Sequence, residues 1–250
     1  MRKYALVFAL CALAVPTVWA AWDETEHLSQ TLKMDPGGTL RLRSFSGRVT
    51  ITASDRPEIV IDAVRRGTRS QLDHVKLDIH VDGSNYVVVD ANRHDRSWFD
   101  FGRNTVVETD LDVKVPRRTN LDLSVFSAPV SVEGVEGSHR VHSFSARLSL
   151  SDVSGSIQAD TFSGPVLIRE KSWDANRTIN VKTFSGNVEL HVPEGASGQV
   201  TFDTFSGRLN SEMPLTLHST RHRNIRAELG SGGDSSLRFR TFSGSVKIDR

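Results

Sequence analysis

The chain has almost no cysteine: there is one in 250 residues, Cys11. It lies in a segment expected to be removed, so the processed protein has no disulfide, thiolate metal ligand or cysteine nucleophile. A thiol-free chain suits an oxidising compartment, where nothing can mispair. Excess charge of either sign is also lacking, with 31 Lys and Arg against 30 Asp and Glu, mixed along the chain without blocks. Neither nucleic acid nor an anionic membrane is expected as the main partner, because both need a basic patch. Long apolar runs are missing too. The one candidate, Tyr4 to Val15, falls short of the ~20 residues needed to span a bilayer. No segment carries a long helical period, which leaves strands as the material of the fold.

The apolar run follows Met1, Arg2 and Lys3, is broken by Pro16, and leads to Val18-Trp19-Ala20. A basic start, an apolar centre and a small residue at the end form a secretory signal peptide, expected over residues 1–20 with cleavage after Ala20. Leu10 and Phe8, upstream of Cys11, argue against a lipid anchor. The processed chain is therefore expected to be periplasmic or on the cell surface, and not an integral membrane protein. Losing Arg2 and Lys3 leaves 29 basic residues against 30 acidic ones, a net charge of −1.

Repeats dominate what remains. The motif reads Ser44-Phe45-Ser46-Gly47, Val125-Phe126-Ser127-Ala128, Ser143-Phe144-Ser145-Ala146, Thr161-Phe162-Ser163-Gly164, Thr183-Phe184-Ser185-Gly186, Thr204-Phe205-Ser206-Gly207 and Thr241-Phe242-Ser243-Gly244. Each copy leads into a β-branched or leucine-rich strand. From Phe126 onward the phenylalanines are 18, 18, 22, 21 and 37 residues apart. A period near 20 is that of a coiled β-strand solenoid, and the last gap reads as two periods with one motif lost. Coils of about 18–22 residues in a single-stranded parallel β-solenoid are the expected fold.

Parity sets the expected orientation of the side chains. Phe162, Gly164, Val166 and Ile168 alternate, as do Ile157, Ala159 and Thr161 in the opposite register. A corner between Thr and Phe accounts for the switch, and it places the phenylalanines inside with the valines. Stacked coils then bring one Phe over the next at about 4.8 Å. Each buried ring contributes about 1.5–3 kcal/mol in this reading, making the ladder of Phe45, Phe126, Phe144, Phe162, Phe184, Phe205 and Phe242 the main source of stability.

Residues 21–118 are less regular, with strands expected at Glu58–Val64, Val75–Val81, Tyr86–Asp90 and Val106–Val115. They read as a cap on the regular coils of 119–250, and no linker-like tract separates the two parts, so 21–250 is expected to form one domain. The tract Gly230-Ser231-Gly232-Gly233-Asp234 reads as a hairpin turn. The last repeat strand ends two residues before Arg250. Ser245–Arg250 is thus expected to be an open edge, able to pair with a partner strand or a second copy end to end. One loop mixes aromatics with charge, and Arg96, Trp98, Phe99 and Phe101 are its candidate binding residues, unless they simply cover the open end of the solenoid.

Chemistry-bearing constellations are sparse. Seven copies of a motif serine have no strand-to-helix setting, so no nucleophile elbow is read from them. His80, His94, His139, His142, His191, His218 and His222 lack metal-site spacing, and only Gly232-Gly233-Asp234 faintly resembles a calcium repeat. Outward positions after the motif, Arg48, Pro129, Arg147, Pro165, Asn187, Arg208 and Ser245, give no acidic row for glycan cleavage. No catalytic residue, metal ligand or cofactor is assigned.

Gly37-Gly38-Thr39-Leu40-Arg41-Leu42-Arg43-Ser44-Phe45-Ser46-Gly47, Val113-Lys114-Val115-Pro116-Arg117 and Leu229-Gly230-Ser231-Gly232 complete a pattern. With the repeats, it resembles the bacterial "putative adhesin" domain-of-unknown-function family of β-strand-repeat proteins. The resemblance implies a parallel β-solenoid, exported or surface-linked, in some members accompanying envelope-stress regulation, and it brings no catalytic residues. The expected function is a non-enzymatic binding or scaffold module of the cell envelope, contacting an envelope protein or glycan. A carbohydrate-active β-helix enzyme (glycan lyase or hydrolase) and a self-assembling structural module are the alternatives.

Overall fold

The computed structural model describes residues 24–83, 85–94, 106–221 and 223–250. The expected signal peptide and the candidate loop residues Arg96, Trp98, Phe99 and Phe101 lie outside the described residues. The fold is all-β and solenoidal. The regular coils are β8 (Thr119–Ser127) with β9 (Val130–Glu133), β10 (His139–Ser145) with β11 (Leu148–Val153), β12 (Ile157–Ser163) with β13 (Val166–Glu170), and β14 (Thr178–Ser185) with β15 (Val188–His191). The even-numbered strand of each pair joins one sheet and the odd-numbered strand the other, and successive coils pair in parallel.

The interior is built of columns, one side chain per coil. Leu121, His139, Ile157 and Ile179 are in register, as are Leu123, Val141, Ala159 and Val181. The facing sheet supplies Val130, Leu148, Val166 and Val188, then Val132, Leu150, Ile168 and Leu190. All but His139 are apolar, and all are buried. Because the spacing between coils is the hydrogen-bonding distance of paired strands, identical positions must touch, and branched aliphatics fill such columns well.

The motif corner works differently from the expectation. Thr161 is buried, Phe162 is exposed, and inward packing resumes at Val166. The parity switch therefore falls within Ser163-Gly164-Pro165, after the phenylalanine, and the ring faces outward. A Cβ on Gly186 would collide with the carbonyl of Gly164, one on Gly244 with that of Gly186, and one on Gly207 with that of Gly244. Glycine recurs because each corner rests on the carbonyl of its neighbour. Ala146 starts this run, and its carbonyl is what Gly164 approaches.

Chain order and spatial order part at both ends. The last coil, β20 (Ser236–Thr241) with β21 (Val246–Asp249), inserts between β14–β15 and the coil of β16 (Gly198–Thr204) with β17 (Leu209–Ser211). β21 is thus paired on both sides, and Ser245–Arg250 is not the open edge expected of it. The 37-residue gap is not a coil without its motif either. It holds β18 (Leu215–Arg221) and β19 (Asn224–Leu229), an antiparallel pair laid against β16. Gly230–Asp234 is correspondingly no hairpin turn, since β19 and β20 flank β16 from opposite sides.

At the other end β2 (Gly38–Ser46) and β3 (Val49–Ser54) lie between β8–β9 and the coil of β6 (Tyr86–His94) with β7 (Glu108–Pro116). Antiparallel strands close this end: β4 (Glu58–Gly67) on β7, β1 (Glu24–Lys33) on β4, and β5 (Val75–Val81) on β6. A six-residue helix, α1 (Arg69–His74), whose N-terminus Thr68 and Gln71 close as a capping box, joins β4 to β5. Neither β1 nor α1 was expected from sequence. Among the described residues no helix is long and apolar enough to cross a membrane.

One polar cluster lies inside. His139 interrupts an apolar column, and burial pushes it down to about 4, helped by the positive charge of Arg177. Glu170 is fully enclosed, and burial pushes it up to about 7 although Arg177 pulls the other way. Arg177 Nε lies 3.6 Å from Glu170 Oε2, and its Nη2 binds Asp174 at 3.1 Å and the Ser172 carbonyl at 2.9 Å. The two titrations oppose each other. His139, lowered on folding, adds stability as pH rises from about 4 to 6.5, and Glu170, raised on folding, removes it as pH rises from about 4.5 to 7. Between pH 4.5 and 6.5 the slopes from this pair cancel. In Glu170→Gln only the histidine slope remains, so urea unfolding should show the variant gaining about 2–3 kcal/mol over wild type across that window. Parallel wild-type and variant curves would refute the assignment.

Candidate functional site

Seven outward rings make the most distinctive surface of the described residues. Phe45, Phe126, Phe144, Phe162, Phe184, Phe242 and Phe205 stack in that spatial order, with centroids 4.6–5.0 Å apart and planes within 7°. Phe242 precedes Phe205 because the last coil is inserted. The rail is about 29 Å long, six steps at the spacing between paired strands. Each ring is 38–52% exposed, so the rail does not carry the core. That work falls to the aliphatic columns and to Phe202 and Phe239, which are fully buried. Half-buried rings with offset stacking still contribute about 1–2 kcal/mol each.

Stacking also decides what the rail can offer. Each inner ring has both faces covered by its neighbours, so the surface shows ring edges only. At one end Arg223 covers the outer face of Phe205, 4.1 Å from its centroid. A sugar that needs a free aromatic face finds none along the inner rail, whereas an apolar chain meets a continuous hydrocarbon strip. Exposed apolar patches of this size, on the order of 300–600 Å² or more, mark interaction surfaces.

Beside the rail runs a second row, two residues earlier on each strand and so on the same face. In spatial order it is Arg43, Ser124, His142, Asp160, Lys182, Arg240 and Asp203. Sequence reasoning missed this shelf because it had placed the phenylalanines inside; with the opposite parity the pattern Arg/Lys/Asp-x-Phe would have found it. A further row carries Arg41, Arg140 and Arg238 with Asp122. Six Arg and Lys thus face three Asp across the two rows, a local cationic excess on a nearly neutral chain.

Between rail and shelf lie two open grooves that meet at Asp160. One, of about 560 Å³, is walled by Phe162, Phe184, Phe242 and Phe205 opposite Asp160, Lys182 and Arg240. The other, of about 380 Å³, is walled by Phe126 and Phe144 opposite Arg43, His142 and Asp160. The shelf pairs its own charges loosely: His142 to Asp160 at 3.4 Å, Lys182 to Asp160 at 3.8 Å, Arg240 to Asp203 at 4.0 Å. Exposed pairs of this length contribute little.

Under the rail a column of motif hydroxyls points inward. The oxygens of Ser143, Thr161, Thr183, Thr204 and Thr241 are enclosed without a hydrogen-bond partner in the protein. They face the corner glycines, as the closeness of Thr183 Oγ1 to Gly186 and of Thr241 Oγ1 to Gly244 shows. None is placed as a nucleophile. Val125 already occupies this column in one coil. Thr183→Val, which removes an unpaired buried hydroxyl at nearly constant volume, should leave stability unchanged or raise it by up to about 1 kcal/mol in denaturant unfolding. A loss above about 1 kcal/mol would show that the hydroxyl is bonded.

The described histidines are dispersed. His139 is buried in the interior, His142 is on the shelf, His191 pairs with Asp249, and His218 meets Glu228 at 3.2 Å. Among the described residues no cluster of His, Asp or Glu is arranged to hold a metal ion. The positions after the motif are exposed, Ser245 half-buried, and none of them lines either groove.

Comparison with known proteins agrees with the repeat reading. The family model described as Toastrack DUF4097 matches residues 127–249. The matched segment covers most of the repeats that carry the resemblance to a domain-of-unknown-function family. No curated protein sequence matches it. Among solved structures it is similar to a putative cell adhesion protein from Clostridium sporogenes, at 10% identity and TM-score 0.53, over 90% of this chain and 99% of that one. Weaker likeness extends to a putative adhesin from Bacteroides fragilis, at 7% identity and TM-score 0.34, over 89% and 97% of the two chains. Another putative adhesin, from Parabacteroides distasonis, aligns at 9% identity and TM-score 0.32, over 89% and 97%. The Clostridium likeness shows the fold, and the names beside it describe those proteins.

Proposed function

We propose that the protein is an exported, non-enzymatic, adhesin-like binding module of the cell envelope, and that the phenylalanine rail is its contact face. The observation that carries this reading is the rail itself. Seven rings held outward in one line stabilise the coils by stacking, yet their edges stay in solvent at a cost in solubility that a row of polar side chains would not carry. A rigid sheet fixes their spacing, so binding needs no ordering of the surface. The reading is supported by the name of the similar cell adhesion protein and by the N-terminal segment expected to be a signal peptide.

Retention of the purified protein on isolated cell envelopes tests it. Wild type should be retained, and the triple variant Phe144→Ser, Phe162→Ser, Phe184→Ser should lose at least tenfold in affinity while circular dichroism still reports a β fold. A folded variant with undiminished retention would remove the rail from the function. Shortening of an envelope glycan by wild-type protein would overturn the non-enzymatic assignment.

A further inference from the structure

The larger groove holds an unusual pairing. Lys182 and Arg240 are directly opposite on neighbouring strands, an arrangement of like charges that costs stability. Arg238 lies on the same face two residues before Arg240. Among the described residues, the carboxylates paired with Lys182 and Arg240 stand at 3.8 and 4.0 Å, on the far side of each. Two residues along, Phe184 and Phe242 open the apolar wall. At about 3.3 Å per residue, a cationic spot and a hydrocarbon strip lie about 7 Å apart on one rigid surface.

We propose that this groove binds a single anionic amphiphile, with its charged head on Lys182 and Arg240 and its acyl chain laid along the phenylalanine edges. The proposal rests on the rail being the contact face and names the ligand class for it. The chemistry separates the alternatives. The rail strands from β2 to β16 are paired on both sides, so a peptide lying across them finds no backbone donor or acceptor on this face. A glycan finds no free ring face along the inner rail. An acyl chain needs neither, and each methylene covered by the rail adds to binding. The partner differs from a bilayer surface: it is one molecule held in a groove, so the dispersed charge of the whole chain does not decide its binding.

Equilibrium dialysis below the critical micelle concentration tests this, with radiolabelled palmitoyl lysophosphatidylglycerol as the probe and palmitoyl lysophosphatidylcholine and lauroyl lysophosphatidylglycerol for comparison. The anionic palmitoyl lipid should bind at least fivefold more tightly than the zwitterionic one. Shortening the chain by four methylenes should weaken binding at least tenfold. The double variant Lys182→Gln, Arg240→Gln, which leaves core and rail intact, should bind both head groups alike. Equal affinity of wild type for the two head groups overturns the proposal, as does a double variant that still discriminates between them. Binding to phosphatidylglycerol vesicles without binding to the monomers overturns it in favour of a membrane surface. If wild type binds no lysolipid while the triple phenylalanine variant still loses envelope retention, the ligand class is wrong and the rail stands. If retention ignores the rail, the reading of the face itself fails.

Discussion

The hydrogen bond between parallel strands sets every distance that matters in this protein. It fixes the step between coils near 4.8 Å, and anything repeated in the sequence is therefore repeated in space at that step. Inside, this turns leucine, valine and isoleucine into continuous columns. At the corners it forces carbonyl against glycine. Outside, it brings phenylalanine onto phenylalanine in an unbroken stack. The same step governs stability and surface alike, because a ladder of identical residues is a ladder wherever it points.

A solenoid must also end, and here both ends are closed from within the chain. The terminal coil returns between two earlier ones, and antiparallel strands cover both strands of one outermost coil and β16 of the other. The consequence is that the rail is longer than the run of consecutive repeats: Phe45 extends it at one end and Phe242 is inserted before Phe205, although neither belongs to the regular run in chain order. Edge strands remain at β1, β5, β17 and β18, where charge and shortness limit pairing.

How much of this was legible depended on whether the signal was periodic. The coils, their length and the stacking of the motif rings follow from spacing alone, and spacing was visible. Orientation was not. Phe162 and Val166 share parity, and only a corner placed at Ser163-Gly164-Pro165, not before Phe162, separates them into outside and inside. A bend of three residues leaves no mark on alternation beyond a shift that two corner positions explain equally well. The inserted last coil was hidden for a different reason. A gap of 37 residues equals two periods, and the antiparallel pair β18–β19 fills it with strands of ordinary composition. The shelf of Arg43, Lys182 and Arg240 followed the fate of the rail, since its face is known only once the rail's face is. Local charge was hidden likewise: cations dispersed in sequence gather on one sheet face only through register.

The central claim is that the motif phenylalanines form an outward, accessible rail while the core phenylalanines are enclosed. Hydroxyl-radical footprinting of the folded protein measures this directly, ring by ring, with Phe202 and Phe239 as internal references. The account predicts that the seven motif phenylalanines are oxidised at similar rates, each well above Phe202 and Phe239. Protection of Phe144, Phe162 and Phe184 to the level of Phe202 in the isolated protein would contradict it and return the rings to the interior.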